Sequence, residues 1–329
     1  MTEATRRPVN LFEVRSDTAV LVDTFREDVI DGLTRGRGEK FVHPKHLYDA
    51  EGSRLFERIT QLDDYYPTRT EASIYAEQID DICARLGRDV TLIEPGAHTG
   101  EKALRLLEHM DSPHAFAPME ISRSALEEAG ETVAGALPSV EVYPVCADFT
   151  AQTSLLDHVP RKNRVVFFPG STIGNLVPEE RRELLGKFAE IAGAGGRLLL
   201  GYDLKKDPSV LERAYDDSEG VTAAFNFNLL DRINRELDGE FDRDAFAYRA
   251  KWEASRSRIE MGLVSERDQT VKVNSHEVRL AAGEFIHTEN SHKFEPESLD
   301  AEAAEVGFTD IHRWTDEKDW FCVSLFERK

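Results

Sequence analysis

The sequence predicts an α/β protein: a parallel sheet closed by an antiparallel hairpin at the end of the chain, joined by a second domain of mixed α and β structure. Three observations lead to this prediction. Apolar strand patterns alternate with helical patterns from residue 89 onward, two adjacent strand patterns end the chain, and residues 204–294 interrupt the alternation. Near-continuous apolar strands that alternate with helices are typical of a parallel sheet covered on both faces.

Five apolar segments supply the predicted parallel strands. They cover residues 90–94, 114–121, 140–146, 164–168 and 197–201. Helical patterns separate them. One carries apolar residues at i, i+3, i+4 and i+7 from Ala103 to Met110, and another opens at Pro178, in a first turn where proline is tolerated.

The end of the chain predicts a hairpin. Residues 307–314 and 320–326 are strand patterns joined by a short polar turn. A parallel sheet that ends in such a hairpin resembles the class I, Rossmann-like methyltransferase fold more than an ordinary dehydrogenase fold. A nicotinamide-binding dehydrogenase is also expected to carry G-x-G-x-x-G after its first strand, and residues 94–102 (EPGAHTGEK) depart from that pattern.

The interrupting segment and the start of the chain predict a second, α+β domain. A helix over about 222–237 and strand patterns at 258–264, 270–273 and 277–281 lie within the insert, and residues 19–35 predict a further helix. We assign residues 1–61 and 204–294 to a substrate-binding domain, and residues 62–203 and 295–329 to the methyltransferase domain. The first is expected to cover the carboxyl ends of the strands, where ligands of such sheets bind.

The composition argues against several classes of protein, namely nucleic-acid-binding, membrane, disulfide-rich and metal-binding proteins. The 329 residues carry a formal net charge of -21, and such a surface repels the phosphate backbone of nucleic acids. No segment has the apolar length of a membrane span, and the first residues lack the apolar run of a secretory signal. Three widely spaced cysteines and scattered histidines suggest neither a disulfide framework nor a metal site. We expect a cytoplasmic monomer without metal, membrane or nucleic-acid partners.

The ends of three successive strands predict a cofactor site. Gly96 follows the first strand, where a glycine lets the backbone approach a ligand closely. Glu120 ends the second strand and can accept hydrogen bonds from two ribose hydroxyls. Asp148 and Phe149 follow the third and could hold an adenine ring. Each feature also has an ordinary structural explanation: Gly96 could form a tight turn, Glu120 could be a solvated acid, and Asp148 could cap a helix beside a core Phe149. Their coincidence at three successive strand ends favours a cofactor site.

Three further polar residues predict a substrate pocket. Asn175 follows the fourth strand, at the position that faces the reactive end of such a cofactor. Glu289 and Ser291 share one side of the chain if it is extended there. A carboxylate and a hydroxyl side by side can bind both nitrogens of an imidazole, one as acceptor and one as donor. Alternatively, Asn175 could be a turn residue, and Glu289 and Ser291 could lie on the polar outer face of a strand.

Long stretches of the chain resemble one family, the histidine Nα-methyltransferases of ergothioneine biosynthesis. The resemblance runs from about Phe41 to Phe326. It is carried by residues 47–60 (LYDAEGSRLFERIT), 65–72 (YYPTRTEA), 168–176 (FPGSTIGNL), 214–230 (AYDDSEGVTAAFNFNLL), 258–261 (RIEM) and 286–294 (IHTENSHKF). It implies S-adenosylmethionine as methyl donor, L-histidine and its mono- and dimethyl forms as substrates, and three methylations that give hercynine.

The resemblance also assigns roles to the residues that match its motifs. The amino-acid end of the substrate would be held by Tyr65, Asn175 and Tyr215. The imidazole would be bound by Glu289 and Ser291 in a pocket shaped by Phe56, Gly170 and Met261. The cofactor would be bound by Tyr48, Gly96, Lys102, Glu120, Asp148 and Phe149. Tyr48 and Asn175 would lie nearest the reacting groups and act in catalysis.

Two departures from the family pattern stand out. His98 occupies a loop position where the family more often has glycine, and Glu120 stands where aspartate is common. Two other functions stay open at this stage: methylation of another free amino acid, and non-catalytic binding of S-adenosylmethionine. Glu289 and Ser291 argue against the first, because an apolar substrate side chain would leave both unpaired.

Overall fold

The computed structural model describes residues 18–147 and 158–329, with side chains described from residue 24 onward. The predicted cofactor residues Asp148 and Phe149 lie outside these ranges. The helices are α1 Thr18–Thr34, α2 Ala50–Gln61, α3 Tyr66–Leu86, α4 Glu101–His109, α5 Arg123–Ala136, α6 Pro178–Ala192, α7 Pro208–Tyr215, α8 Val221–Glu236 and α9 Pro296–Glu305. No helix in these ranges combines the length and apolarity that crossing a bilayer requires.

The strands form one large sheet and two small ones. In chain order they are β1 Thr91–Pro95, β2 Ala115–Glu120, β3 Glu141–Val142, β4 Val145–Cys146, β5 Arg164–Phe168, β6 Arg197–Asp203, β7 Phe246–Glu253, β8 Arg258–Ser265, β9 Gln269–Val273, β10 His276–Leu280, β11 Phe285–His292, β12 Phe308–Thr315 and β13 Phe321–Arg328.

The large sheet has the order β12-β13-β6-β5-β1-β2-β3, and β4 also pairs with β2. The pairs from β6 to β3 are parallel, whereas β13 runs antiparallel to both β6 and β12. This is the class I methyltransferase sheet with its terminal hairpin, as the sequence predicts.

Apolar side chains cover both faces of this sheet. Adjacent strand residues point to opposite faces, so Ile93 joins one buried cluster with α6 and α9, and Leu92 joins another with α3, α4 and α5. Strands that bury both faces need an apolar residue at nearly every position, which explains the continuous runs seen in the sequence.

A second unit is built on the antiparallel sheet β11-β8-β7 and the β9–β10 hairpin. Its buried cluster draws on α1, α2, α7 and α8 and reaches Leu62, Tyr65 and Tyr66 at the start of α3. The separate antiparallel unit agrees with the predicted α+β domain. The boundaries at residues 61/62, 203/204 and 294/295 stay a prediction.

The structure corrects the sequence analysis in two respects. The predicted third strand, 140–146, is interrupted between β3 and β4, where Pro144 has no N–H to donate to the neighbouring strand. Helices α2, α3, α7 and α9 were not predicted. Helix α3 accommodates Pro67 because this residue lies in its first turn, where a missing N–H costs no helical hydrogen bond.

Candidate active site

The turn after β5 contacts β11 of the second unit, and a tight glycine loop joins the carboxyl ends of β1 and β2. Gly96 has φ 71° and its N–H donates to the Met119 carbonyl at 2.8 Å. Gly100 has φ 72°, and a Cβ there would lie 2.8 Å from the Ala129 carbonyl oxygen. His98 adopts φ 49°, the left-handed region that glycine occupies most easily, which explains why glycine suits this position.

Glu120 ends β2 with its carboxylate held in place. Oε1 accepts hydrogen bonds from the N–H groups of Ile121 at 2.9 Å and Ser122 at 3.4 Å. These bonds fix the side chain and leave Oε2 as the acceptor that can face a ribose.

Glu71 on α3 connects the two sides of the site, and the sequence analysis did not single it out. Its buried carboxylate accepts from Lys102 Nζ at 2.6 Å and from the Gly170 N–H at 2.7 Å. Gly170 has φ 78°, and a Cβ there would lie 3.3 Å from Lys102 Nζ. Lys102 and Gly170, predicted for the cofactor and the substrate respectively, therefore meet at one buried carboxylate.

Glu94, the penultimate residue of β1, is buried, and its Oε2 has no hydrogen-bond partner among the described residues. Burial raises the pKa of this carboxyl well above its ordinary value, and Lys102 acts in the opposite direction. An unpartnered buried acceptor beside a glycine loop fits a ligand that carries donors and positive charge. S-adenosylmethionine, with its ammonium and sulfonium groups, is such a ligand.

On the substrate side, Glu289 and Asn175 are in direct contact. Asn175 Nδ2 donates to Glu289 Oε1 at 2.9 Å, and Glu289 pairs with Met261 across β11 and β8. The contact depends on Gly174, because a Cβ there would lie 2.9 Å from the His292 carbonyl oxygen. Strand β11 thus packs directly on the turn Thr172–Asn175 that follows β5.

Ser291 lies on the same side of β11 as Glu289 and contacts Tyr215, the last residue of α7. The two hydroxyl oxygens are 2.7 Å apart. Lys293 Nζ donates to both, at 2.8 Å each, and forms an ion pair with Asp203 at 2.6 Å. Lys293 and Asp203 were not singled out either, although the alternation that groups Glu289 with Ser291 extends to residue 293.

Aromatic rings enclose these polar groups. Tyr48 contacts Phe56 and Phe225, with ring centroids 5.5 and 5.3 Å away. The Tyr65 and Tyr215 rings are 5.8 Å apart, edge to face. Burial, reinforced by the nearby Glu289 carboxyl, raises the pKa of Tyr48 and Tyr65 well above 10, so both carry neutral hydroxyls at physiological pH.

Burial also raises the pKa of Glu289, to about 8, and Lys293 acts in the opposite direction. A buried carboxyl with a pKa near neutrality, in contact with Asn175 and close to Tyr48 and Tyr65, is typical of a functional site.

The comparison with known proteins identifies the family. A family model described as histidine-specific methyltransferase, SAM-dependent, matches residues 25–328. The chain belongs to this family.

Two mycobacterial relatives support this assignment. The chain is 45% identical to a histidine N-alpha-methyltransferase of Mycolicibacterium smegmatis over 93% of this chain and 95% of that protein. It is 42% identical to the protein of the same name from Mycobacterium tuberculosis, over 91% and 94%. It also matches 31% of the ergothioneine biosynthesis protein 1 of Neurospora crassa, at 25% identity over 82% of this chain.

The predicted family, the methyl donor and the enzyme class are thereby confirmed: the protein is an S-adenosylmethionine-dependent histidine methyltransferase. The individual site residues stay a prediction. The geometry of this methyltransferase brings together Tyr65, Asn175, Tyr215, Glu289 and Ser291, with Tyr48, Phe56 and Met261 around them. Gly96 and Glu120 lie at the carboxyl ends of β1 and β2, Gly170 follows β5, and Lys102 lies in the first turn of α4.

Proposed function

We propose that the protein transfers three methyl groups in succession from S-adenosylmethionine to the α-amino nitrogen of L-histidine, giving hercynine for ergothioneine biosynthesis. One observation carries the proposal. A buried carboxyl and a buried hydroxyl, Glu289 and Ser291, lie on one side of β11, and Asn175 at the end of β5 contacts the carboxyl directly.

The imidazole is the ligand that uses both groups. A neutral ring has one N–H donor and one nitrogen acceptor. Glu289 can accept from the first and the Ser291 hydroxyl can donate to the second. An amino acid with an apolar side chain would leave both buried groups unpaired, at a cost of about 1–3 kcal/mol for each.

The amino-acid end of histidine is assigned to Asn175, Tyr65 and Tyr215. One N–H of the Asn175 amide is used by Glu289, so the second is available for a substrate carboxylate. The Tyr65 hydroxyl supplies a further donor, because burial keeps it neutral, and the Tyr215 ring packs edge to face against Tyr65 at this end of the pocket.

Methyl transfer itself requires little from the protein beyond placement. The sulfonium methyl group is already activated, and the amine lone pair must be held in line with the methyl–sulfur bond. Tyr48 is proposed to accept a hydrogen bond from the amine through its neutral hydroxyl oxygen. The proton that the amine loses then passes to water.

Three successive transfers are compatible with anchoring at both ends of the substrate. If the carboxylate and the imidazole are fixed, the nitrogen can rotate and present its lone pair again after each transfer. The tyrosine rings can stabilise the methylated cation by about 0.5–2 kcal/mol each. The trimethylated nitrogen has no lone pair, so the reaction ends there.

We extend the proposal to a cytoplasmic monomer that binds no nucleic acid. Ile311 is the one large hydrophobic side chain that is exposed in the described ranges, at 40%, so an extensive apolar interface has little support there. The cytoplasm is proposed because the enzyme acts where S-adenosylmethionine is supplied.

A paired substitution tests the substrate assignment. Glu289→Ala with Ser291→Ala should reduce kcat/KM for histidine by at least 100-fold, about 3 kcal/mol from two lost polar contacts, while S-adenosylmethionine affinity and the thermal midpoint change little. The matched control is Ser275→Ala with Glu277→Ala, the same pair of residue types in and beside the exposed β9–β10 hairpin. Full histidine turnover in the first variant would remove Glu289 and Ser291 from the imidazole site.

A further inference from the structure

A charged cluster lies directly behind Ser291 and Tyr215, and the proposed methyl transfer does not use it. The Lys293 and Asp203 side chains are wholly buried and form an ion pair of 2.6 Å. Asp203 also accepts from Tyr66 at 2.5 Å and from Lys206 at 2.5 Å. Burying such a cluster is costly unless every donor is paired, so its placement beside the substrate pocket calls for a reason.

The hydrogen bonds of Lys293 account for all three of its ammonium protons. Its acceptors are Asp203 Oδ2, the Tyr215 hydroxyl and Ser291 Oγ. Both hydroxyl oxygens must therefore accept from Lys293. They also lie 2.7 Å from each other, so one of their two protons is used between them. One hydroxyl proton is left to face the pocket.

We propose that Lys293, held by Asp203, is a positioning residue that makes Ser291 the donor of the imidazole-binding pair, so that the site selects histidine with a neutral ring whose N–H is accepted by a carboxyl oxygen of Glu289. This inference rests on the proposed function. In the arrangement it describes, Tyr215 donates to Ser291, and the Ser291 proton points at the bare ring nitrogen.

The positive charge of Lys293 also favours a neutral imidazole ring at this site. The Lys293 ammonium is 2.8 Å from Ser291 Oγ, and an imidazolium N–H on that oxygen would bring a second positive charge beside it. Lys293 also favours the ionised form of Glu289, against the effect of burial. Removing Lys293 should leave Ser291 able to accept a hydrogen bond and remove the positive charge closest to it, and both changes favour a second proton on the ring.

The elements packed around this cluster contribute further titratable groups. They are Tyr48 before α2, Tyr65 and Tyr66 at the start of α3, Asp203 and Lys206 at and after the end of β6, Asp216 and Asp217 after α7, and Tyr248 on β7. Burial raises the pKa of each of these tyrosines well above 10. They stay neutral in the pH range of the test.

The direct test is ¹⁵N NMR of histidine labelled at both ring nitrogens and bound to the full-length protein with S-adenosylhomocysteine. At pH 6, free histidine is mostly imidazolium, since its ring has a pKa of about 6.5. The wild-type complex should show one protonated and one bare nitrogen. Two protonated nitrogens in an enzyme that methylates histidine would overturn the inference and leave the proposed function standing. A protein that neither binds nor methylates histidine would refute both.

Substitution separates positioning from simple support of the fold. Lys293→Met should shift the bound ring at pH 6 to the doubly protonated form and raise the histidine Kd roughly 10- to 100-fold, as expected for lost charge-assisted hydrogen bonds. The Kd for S-adenosylhomocysteine should be unchanged. If Lys293→Met does not fold, Asp203→Asn with Lys293→Met removes the pair together, and the same result is expected.

Lys206→Met is the matched control. It removes a second lysine from the same aspartate, with a side chain that is 5% exposed. Lys206 donates to Tyr66, Asp203 and the Leu204 carbonyl rather than to the two hydroxyls. This variant should keep the wild-type ring spectrum. The same ring spectrum and histidine Kd in Lys293→Met as in wild type would overturn the inference, as would a shifted spectrum in Lys206→Met.

Discussion

Replacing Gly174 with alanine is expected to weaken histidine binding and leave S-adenosylmethionine binding intact. Gly174 lies in the turn between β5 and α6, where the backbone of β11 passes directly over it. The change adds one methyl group and introduces no charge. Its effect is therefore a displacement of β11 from the turn that carries Asn175.

The size of the effect follows from two distances. The new Cβ would lie 2.9 Å from the His292 carbonyl oxygen and 3.3 Å from the His292 nitrogen. Relieving the first contact requires a movement of about 0.5 Å, because van der Waals contact begins near 3.4 Å. The Asn175–Glu289 hydrogen bond of 2.9 Å would lengthen to about 3.4 Å, where it contributes little.

We expect the free energy of unfolding to fall by about 1–3 kcal/mol, the usual cost of overpacking. The KM for histidine should rise about tenfold, since a hydrogen bond to a charged group contributes about 1.5–3 kcal/mol. Calorimetric titration with S-adenosylmethionine and steady-state kinetics with histidine measure the two effects separately.

Gly135→Ala is the control. A Cβ at Gly135 meets no atom within 4 Å, and the residue lies in α5, so alanine should stabilise the protein slightly. An unchanged histidine KM in Gly174→Ala would refute the claim that β11 must rest on this turn. Equal losses of histidine and S-adenosylmethionine affinity would refute the claim that the effect is local.

Three further predictions concern Glu120, Glu289 and the partly methylated substrates. Glu120→Ala should weaken S-adenosylmethionine by about 1.5–3 kcal/mol, and unchanged affinity in a calorimetric titration would remove Glu120 from the cofactor site. Burial raises the pKa of Glu289 from 4.5 to about 8, so stability that is present below pH 4.5 is lost as pH rises towards 8. Denaturant titrations across this range should show a fall of up to about 1.4 kcal/mol per pH unit that Glu289→Gln lacks, and equal slopes in both proteins would contradict the raised pKa. Mono- and dimethylhistidine should both be substrates, and an enzyme that stops at monomethylhistidine would show that the pocket depends on amine hydrogen bonds.

Much of the fold is visible in the sequence because parallel strands and their covering helices leave strong apolar patterns. Strand β5 and helix α6 begin and end close to where the periodicity predicts. Helices α2 and α3 were not predicted, because residues 47–60 and 65–72 were considered only as motifs of the family and not for helical periodicity. Local signals for α2 are present in the sequence, since Asp49 caps the helix and Leu55 and Ile59 share its buried face. Helix α3 also packs against the large sheet, and that contact leaves no local pattern.

The site was predicted in part for a similar reason. Glu289 and Ser291 were grouped on the condition that the chain is extended there, and the family resemblance gave them their role. The same alternation continued by two residues would have included Lys293. Glu71 and Asp203 could not be found this way. Glu71 contacts Lys102 and Gly170, which are 31 and 99 residues away in the chain, and only the folded sheet brings these residues together.

The central claim, three methylations of the histidine α-amino group, is tested most directly by one competition experiment. The protein is incubated with excess S-adenosylmethionine and an equimolar mixture of the twenty amino acids, and products are followed by mass spectrometry. The account predicts that histidine alone gains methyl groups, that all three are on the α-nitrogen, and that the reaction ends at hercynine. Methylation of another amino acid in preference to histidine, or of an imidazole nitrogen, would contradict it.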